Sequence, residues 1–146
     1  MVNSFKRKIV ILIAAGTKQT RESVKNALEE INPEIGCHLI ATGPELLSFL
    51  RAESAHGQSV PGILLLDTDL KDDNGVYVLE EIKADTTMRR VPVVGMIDAA
   101  RAPAVADIYK RGVNSVVLTS ADHVELVKTL RSIVTYWFEM VQLPPS

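Results

Sequence analysis

Cysteine is nearly absent: Cys37 stands alone among 146 residues, so no internal disulfide can form and stability must come from a packed core. Its place in an apolar stretch suits a small buried residue in a reducing compartment better than a reactive thiol. Long hydrophobic runs are missing too. No segment approaches the ~20 apolar residues that a membrane helix needs. The start, MVNSFKRKIVILIAAG, opens a regular strand-helix series and so reads as a first strand, not a cleaved leader. Charge of one sign is also lacking. A formal net charge of −2 leaves no nucleic-acid footprint, and Lys6, Arg7 and Lys8 read as solvation of a strand end. Histidine is scarce as well: His38, His56 and His123 have neither ligand-like spacing nor an obvious acid partner, so neither a zinc site nor a nucleophilic triad follows. The expectation is a cytoplasmic protein that binds neither nucleic acid nor membrane.

What is present is an ordinary globular balance of apolar and charged residues, at a length of about one domain. Five short apolar runs recur, Ile9 to Ala14, His38 to Ala41, Gly62 to Leu66, Val91 to Ile97 and Ser115 to Leu118. Runs such as Ile63-Leu64-Leu65-Leu66 are apolar on consecutive residues, the pattern of strands covered on both faces. Helical patterns lie between them. Val24, Leu28 and Ile31 form one stripe, stopped at Asn32-Pro33. Thr42 and Glu45 form a capping-box pattern ahead of Leu46, Phe49 and Leu50. A third helix is predicted from Val76 to Ala84. A fourth runs from Pro103 to Arg111 with Gly112 as its stop. The last helix is predicted to be the longest, capped by Ser120, with Val127, Leu130, Val134, Trp137 and Val141 on one stripe. The fold class that follows is α/β, a doubly wound parallel sheet in three α/β/α layers, with one domain over residues 1–141 and a tail over 142–146. In such a sheet, ligands sit at the carboxyl ends of the strands.

At that edge the most informative segment is Leu64-Leu65-Leu66-Asp67-Thr68-Asp69-Leu70-Lys71-Asp72-Asp73-Asn74-Gly75, followed by Val78, Leu79 and Ile82. An acid ends the central strand, and a glycine follows eight residues later. With Ile82-Lys83 and Arg90-Val91-Pro92-Val93-Val94, this resembles the CheY-like receiver domain of two-component response regulators over nearly the whole chain. The ending Tyr136-Trp137-Phe138-Glu139 with Leu143-Pro144 is similar to the single-domain receivers that partner bacterial phytochromes. The resemblance implies a five-stranded sheet of order 2-1-3-4-5 and a phosphoacceptor position at Asp67. It further implies a signalling partner such as a sensor kinase or a phytochrome-like photoreceptor, or a second copy in a homodimer.

Position by position, the phosphoryl chemistry of that family is not matched. The acidic pair that holds its divalent cation corresponds to Ala14 and Ala15, the hydroxyl ending the fourth strand to Ile97, and the lysine ending the fifth strand to Thr119. The mobile aromatic residue of some receivers corresponds to Val116. Asp67 with the carbonyl of Asp69 leaves a poor oxygen set for a hard cation, and Asp72 and Asp73 read as solvated loop acids. Asp67 is then either a phosphoacceptor or an acid bonded to loop amides or paired with Lys18 or Lys71. The favoured reading is an atypical receiver that signals by protein contact, with no bound metal, no cofactor and no catalytic turnover. One alternative is a receiver phosphorylated on Asp67. Another is a flavin-binding protein that holds a phosphate on the Gly16 to Thr20 loop. Tyr136, Trp137 and Phe138 are adjacent on a helix and cannot share one face, so with Leu143 they are interface candidates.

Overall fold

Ile11, Leu12, Ile13 and Ala14 are buried on consecutive residues, and this places β1 (Val10–Ala14) in the middle of a sheet. The structure is a computed structural model that describes residues 10–55, 62–98, 113, 115–120 and 122–137. Along the chain β1 is followed by α1 (Lys18–Ile31), β2 (Gly36–Ile40), α2 (Gly43–Ala55), β3 (Ile63–Asp67), α3 (Val78–Ala84), β4 (Val93–Asp98), β5 (Ser115–Thr119) and α4 (His123–Thr135). The five strands form one parallel sheet in the order β2-β1-β3-β4-β5. The fold class and strand order expected from the sequence are those observed.

The alternation along each strand divides the core in two. Leu12, Ala14, Leu64, Leu66, Val93 and Ile97 pack with Leu46, Leu47 and Leu50 of α2 and with Val78, Leu79 and Ile82 of α3. Ile11, Ile13, Ile63, Leu65, Val94, Met96 and Val117 pack with Val24, Ala27 and Leu28 of α1 and with Leu126, Leu130 and Val134 of α4. Helices therefore cover both faces. Each fully buried Leu or Ile contributes about 1.5–3 kcal/mol, and the layer is thick enough to fix the register against slippage.

Several boundaries differ from the sequence expectation. β2 starts at Gly36, two residues before His38, because it is an edge strand with one exposed flank; His38 and Leu39 face solvent. Cys37 lies on that edge half-buried, not buried, and burial followed by the nearby Glu29 charge pushes its thiol up. α3 starts at Val78, not Val76, because Lys71 and Tyr77 pair in an antiparallel bridge and the Val78 N–H donates to Leu70. α4 is capped by Asp122, whose carboxylate accepts the Glu125 N–H at 3.2 Å, while Ser120 accepts the Asp122 N–H one step earlier. The stripe expected for the last helix continues to Val141, outside the described residues, of which α4 takes His123–Thr135. His123 does have an acid partner: it meets Glu30 of α1 across 93 positions of sequence, a contact that no local spacing reveals. The helix expected over Pro103 to Arg111, its stop at Gly112, His56, the tail and the 141/142 boundary all lie outside the described residues.

Candidate functional site

The parallel register brings the carboxyl ends of the strands to one edge. Ala14 pairs with Ile40 and Leu66, Asp67 with Met96, Ile97 with Leu118, and Asp98 with Thr119. Four of the positions singled out by sequence therefore lie at this edge: Ala14, Asp67 and Thr119 end β1, β3 and β5, Ile97 is the last residue but one of β4, and Ala15 follows Ala14 directly. Ala14 and Ala15 are both at 0% exposure. Ala14 packs with the α2/α3 core and Ala15 with the α1/α4 core, so the pair offers methyl groups to both sides of the sheet and oxygen ligands to neither.

Backbone geometry at this corner is held by neighbours. The Ala15 N–H donates to Ile40 O at 3.1 Å, and the Ala15 carbonyl accepts Nη1 of Arg21 at 2.7 Å in a partly buried contact. Arg21, which sequence reasoning passed over, thus ties the first turn of α1 to the end of β1. Thr17 caps α1 through the Thr20 N–H at 3.2 Å and donates to the Thr20 hydroxyl at 2.8 Å. The Thr17 hydroxyl is therefore engaged within its own helix turn.

Asp67 is half-buried at the end of β3. Its Oδ1 accepts the Asp69 N–H at 3.0 Å and its carbonyl accepts the Leu70 N–H at 3.1 Å. Lys18 instead reaches Glu22 at 3.7 Å, and Lys71 lies 4.9 Å from the centre of the Tyr77 ring. Of the two arrangements open for this acid, the loop-amide bond is the one observed. Thr68, next in line, is buried.

On the β4–β5 side, Ile97 is buried among the α2/α3 core residues. Thr119 turns its hydroxyl toward the Ile97 carbonyl at 3.4 Å. Val116 is partly buried against the same cluster. No peptide bond among the described residues is cis, so Thr119-Ser120 is trans.

The loop from Asp67 to α3 is closely braced. Asp72 Oδ1 accepts the N–H groups of Asn74 at 2.8 Å and Val76 at 2.9 Å, and Gly75 takes a φ of +80° that a side chain would resist. Gly43, also missed from sequence, lets the start of α2 approach this loop: a Cβ there would lie 2.3 Å from the Lys71 carbonyl oxygen and 2.6 Å from Val78 Cγ2. The Gly-Pro step after Thr42 was the signal available for it. At the far end of α4, Tyr136 is 54% exposed while Trp137 packs against the α1/α4 core, their rings edge to face at 5.4 Å. The two neighbours therefore part as expected; Phe138 and Leu143 lie outside the described residues. Among the described residues there is no group of three His, Cys, Asp or Glu side chains placed to hold a metal ion, and no helix long and apolar enough to cross a membrane.

A parallel five-stranded sheet with an aspartate ending its central strand, followed by a braced loop and helix, defines a receiver domain of the response-regulator class. No family model matches the chain. It is 28% identical over 138 residues to response regulator Rcp1 of Synechocystis sp., covering 94% of each chain. Among solved structures it superposes on the phosphorylated cyanobacterial phytochrome response regulator RcpA with a TM-score of 0.79 at 27% identity, covering 95% of this chain and 100% of that one. On the Mn(2+)-bound form of Rcp1 the TM-score is 0.75 at 27% identity, covering 94% and 99%. The chain is homologous to these phytochrome response regulators and is a response-regulator receiver domain of signal transduction.

Proposed function

We propose that this receiver is atypical: it signals through protein contact, without magnesium-dependent phosphorylation of Asp67 and without catalytic turnover of its own. The observation that carries this reading is the pair Ala14-Ala15, both fully buried at the end of β1. A phosphoryl group approaching a carboxylate needs a cation to offset the repulsion of two anions. Asp67, engaged by the Asp69 amide, and two methyl groups do not fit a hard divalent ion, which takes six or more oxygens. Ile97 and Thr119 add to this, since one has no hydroxyl and the other no positive charge. Relatives described as Mn(2+)-bound and phosphorylated make the contrast testable on one scaffold.

The partner in this reading is a signalling protein such as a sensor kinase or phytochrome-like photoreceptor, in keeping with the phytochrome response regulators to which the chain is homologous. Exposed Tyr136 is a contact point on the chain, whether for that partner or for a second copy. A cytoplasmic setting rests on the single thiol and near-balanced charge. The flavin reading gives way, because the Thr17 hydroxyl serves the α1 cap and the homology lies with response regulators.

The deciding experiment is an intact mass after incubation with a small phosphodonor and magnesium. The expected result is no added phosphoryl group. A gain of one phosphoryl mass, lost in Asp67→Asn and without magnesium, would establish the ordinary receiver chemistry instead. Sedimentation of the wild type and of Tyr136→Glu separates self-association from docking to a different protein.

A further inference from the structure

β2 lies at the edge of the sheet, and its outer side carries backbone groups that the fold does not use. Among the described residues β1 is its only sheet neighbour. The Ile40 carbonyl accepts the Ala15 N–H at 3.1 Å, so Gly36, His38 and Ile40 spend their backbone groups on β1. The intervening residues, by the alternation of an extended chain, aim theirs at the open side. Both ends of this outer row are closed. The Ile35 N–H donates to the Asn32 carbonyl at 3.1 Å, and the Ala41 N–H donates to the Glu45 carboxylate at 2.8 Å. Between these stops Cys37 and Leu39 each present an N–H and a C=O to the open side, where no described residue pairs with them.

Edge strands are commonly blunted by lysine, proline or a bulge. Gly36-Cys37-His38-Leu39-Ile40 has neither residue and carries no acid, and its register with β1 runs unbroken. The side chains on its two flanks are uncharged or weakly basic. On the α1 side stand half-buried Cys37 and exposed Leu39. On the α2 side exposed His38 lies with its ring 4.5 Å from that of Phe49.

We propose that β2 pairs with β2 of a second copy of this chain, antiparallel about a twofold axis at His38. The pattern of free groups selects both the occupant and the register. Cys37 stands opposite the partner's Leu39, and Leu39 opposite the partner's Cys37. Each such pair exchanges both of its hydrogen bonds, so every free group between the two stops is used on both chains. A slip by two residues in either direction brings Ile35 or Ala41 into the row, and their N–H groups are already spent. On one flank the two His38 rings meet across the axis, each backed by its own Phe49; on the other, each Leu39 covers the partner's Cys37. The contact is isologous, and a net charge of −2 sets little repulsion between copies. It is also short, at the small end of specific interfaces, so the dimer forms reversibly as concentration rises. It is independent of the phosphorylation reading and makes no use of Tyr136.

The test is sedimentation of the full chain at rising concentration, with crosslinking through Cys37 as a second readout. Cys37 is the only cysteine. In this register its two copies lie diagonally on one face, about 7–8 Å apart, so a short bifunctional maleimide should join the chains. The wild type should pass from monomer to dimer, and the crosslinked mass should rise with it. Leu39→Pro removes an N–H that β1 does not use, a change that an edge strand tolerates, and should weaken association about tenfold. His38→Lys, at an exposed position, sets two ammonium groups face to face at the axis and should weaken it as well. Tyr136→Glu should leave both the dimer and its crosslink unchanged. A wild type that stays monomeric into the millimolar range would overturn the proposal. A dimer that survives both Leu39→Pro and His38→Lys, or one that dissociates in Tyr136→Glu, would overturn it too.

Discussion

Thr119 and Ile97 are joined at the strand ends: the Thr119 hydroxyl donates to the Ile97 carbonyl at 3.4 Å, between β5 and β4. Both positions were picked out of the sequence separately, one for a lost cation and one for a lost hydroxyl. Their contact turns two isolated replacements into one local arrangement. The Thr119 hydroxyl is spent on a backbone carbonyl, and the isoleucine side chain of that residue belongs to the core. The bond is long, so its own share of stability is small, at or below about 0.5 kcal/mol.

Restoring charge at this edge should therefore create a metal-dependent protein. The triple variant Ala14→Asp, Ala15→Asp, Thr119→Lys places two carboxyls where the wild type has methyl groups at 0% exposure. Without a cation these acids should cost several kcal/mol. With magnesium the melting temperature should rise with concentration, as binding to the folded state alone requires. The wild type should show no such dependence. A wild-type melt that shifts with magnesium as strongly as the variant's would contradict the proposed function.

Gly43→Ala should destabilise the fold although the residue opens a helix. In a free helix that change is worth about 1 kcal/mol in favour of alanine. Here the new methyl would lie 2.3 Å from a backbone oxygen and 2.6 Å from Val78. Overpacking of this kind costs about 1–3 kcal/mol, and because the closest atom is backbone, relief requires moving α2 or the loop. Urea denaturation decides the sign: a midpoint equal to or above the wild type would mean that the loop yields freely.

The start of α4 gives a comparison between two neighbouring caps. Asp122→Ala removes the acceptor for the Glu125 N–H and should lower stability by about 0.5–2 kcal/mol. Ser120→Ala removes only the bond from the Asp122 N–H, outside the helix proper, and should cost less. Equal losses in thermal melts would mean that the helix begins earlier than Asp122.

Acid should weaken the turn after α3. Asp85 Oδ1 accepts the Thr87 and Met88 N–H groups, both at 2.8 Å, and the Met88 bond ahead of the Thr87 bond holds the carboxyl below its usual range. At neutral pH the group is ionised in both folded and unfolded chains, and the stabilisation is fully present. As pH falls below the ordinary carboxylate range the unfolded chain takes up the proton first, and the stabilisation is lost through the lowered folded value. Asp85→Asn, which cannot titrate, should flatten this part of the pH dependence of the urea midpoint. An unchanged acid slope would assign the effect to other carboxyls.

The sheet and its site edge were legible because their causes are local. Continuous apolar runs such as Ile63 to Leu66 marked strands buried on both faces, and helical stripes between them implied parallel crossovers. Thr42 and Glu45 marked the start of α2, where Thr42 accepts the Glu45 N–H at 3.2 Å and Glu45 accepts the Ala41 N–H at 2.8 Å. The eight-residue step from Asp67 to Gly75 located the loop, and residue identity alone put methyl groups at Ala14 and Ala15. Strand starts were less legible where one flank is open, as at Gly36, since an edge strand need not be apolar on successive residues. What only the tertiary structure decided is every relation between residues far apart in the chain: His123 with Glu30, Gly43 with the Lys71 carbonyl, Arg21 with the end of β1, and Thr119 with Ile97. Even the short turn in which Asp72 accepts the Asn74 and Val76 N–H groups includes the positive φ of Gly75. Sequence carries periodicity and chemistry along one dimension; hydrogen bonds and close approaches depend on distances that exist only once the sheet has set its register.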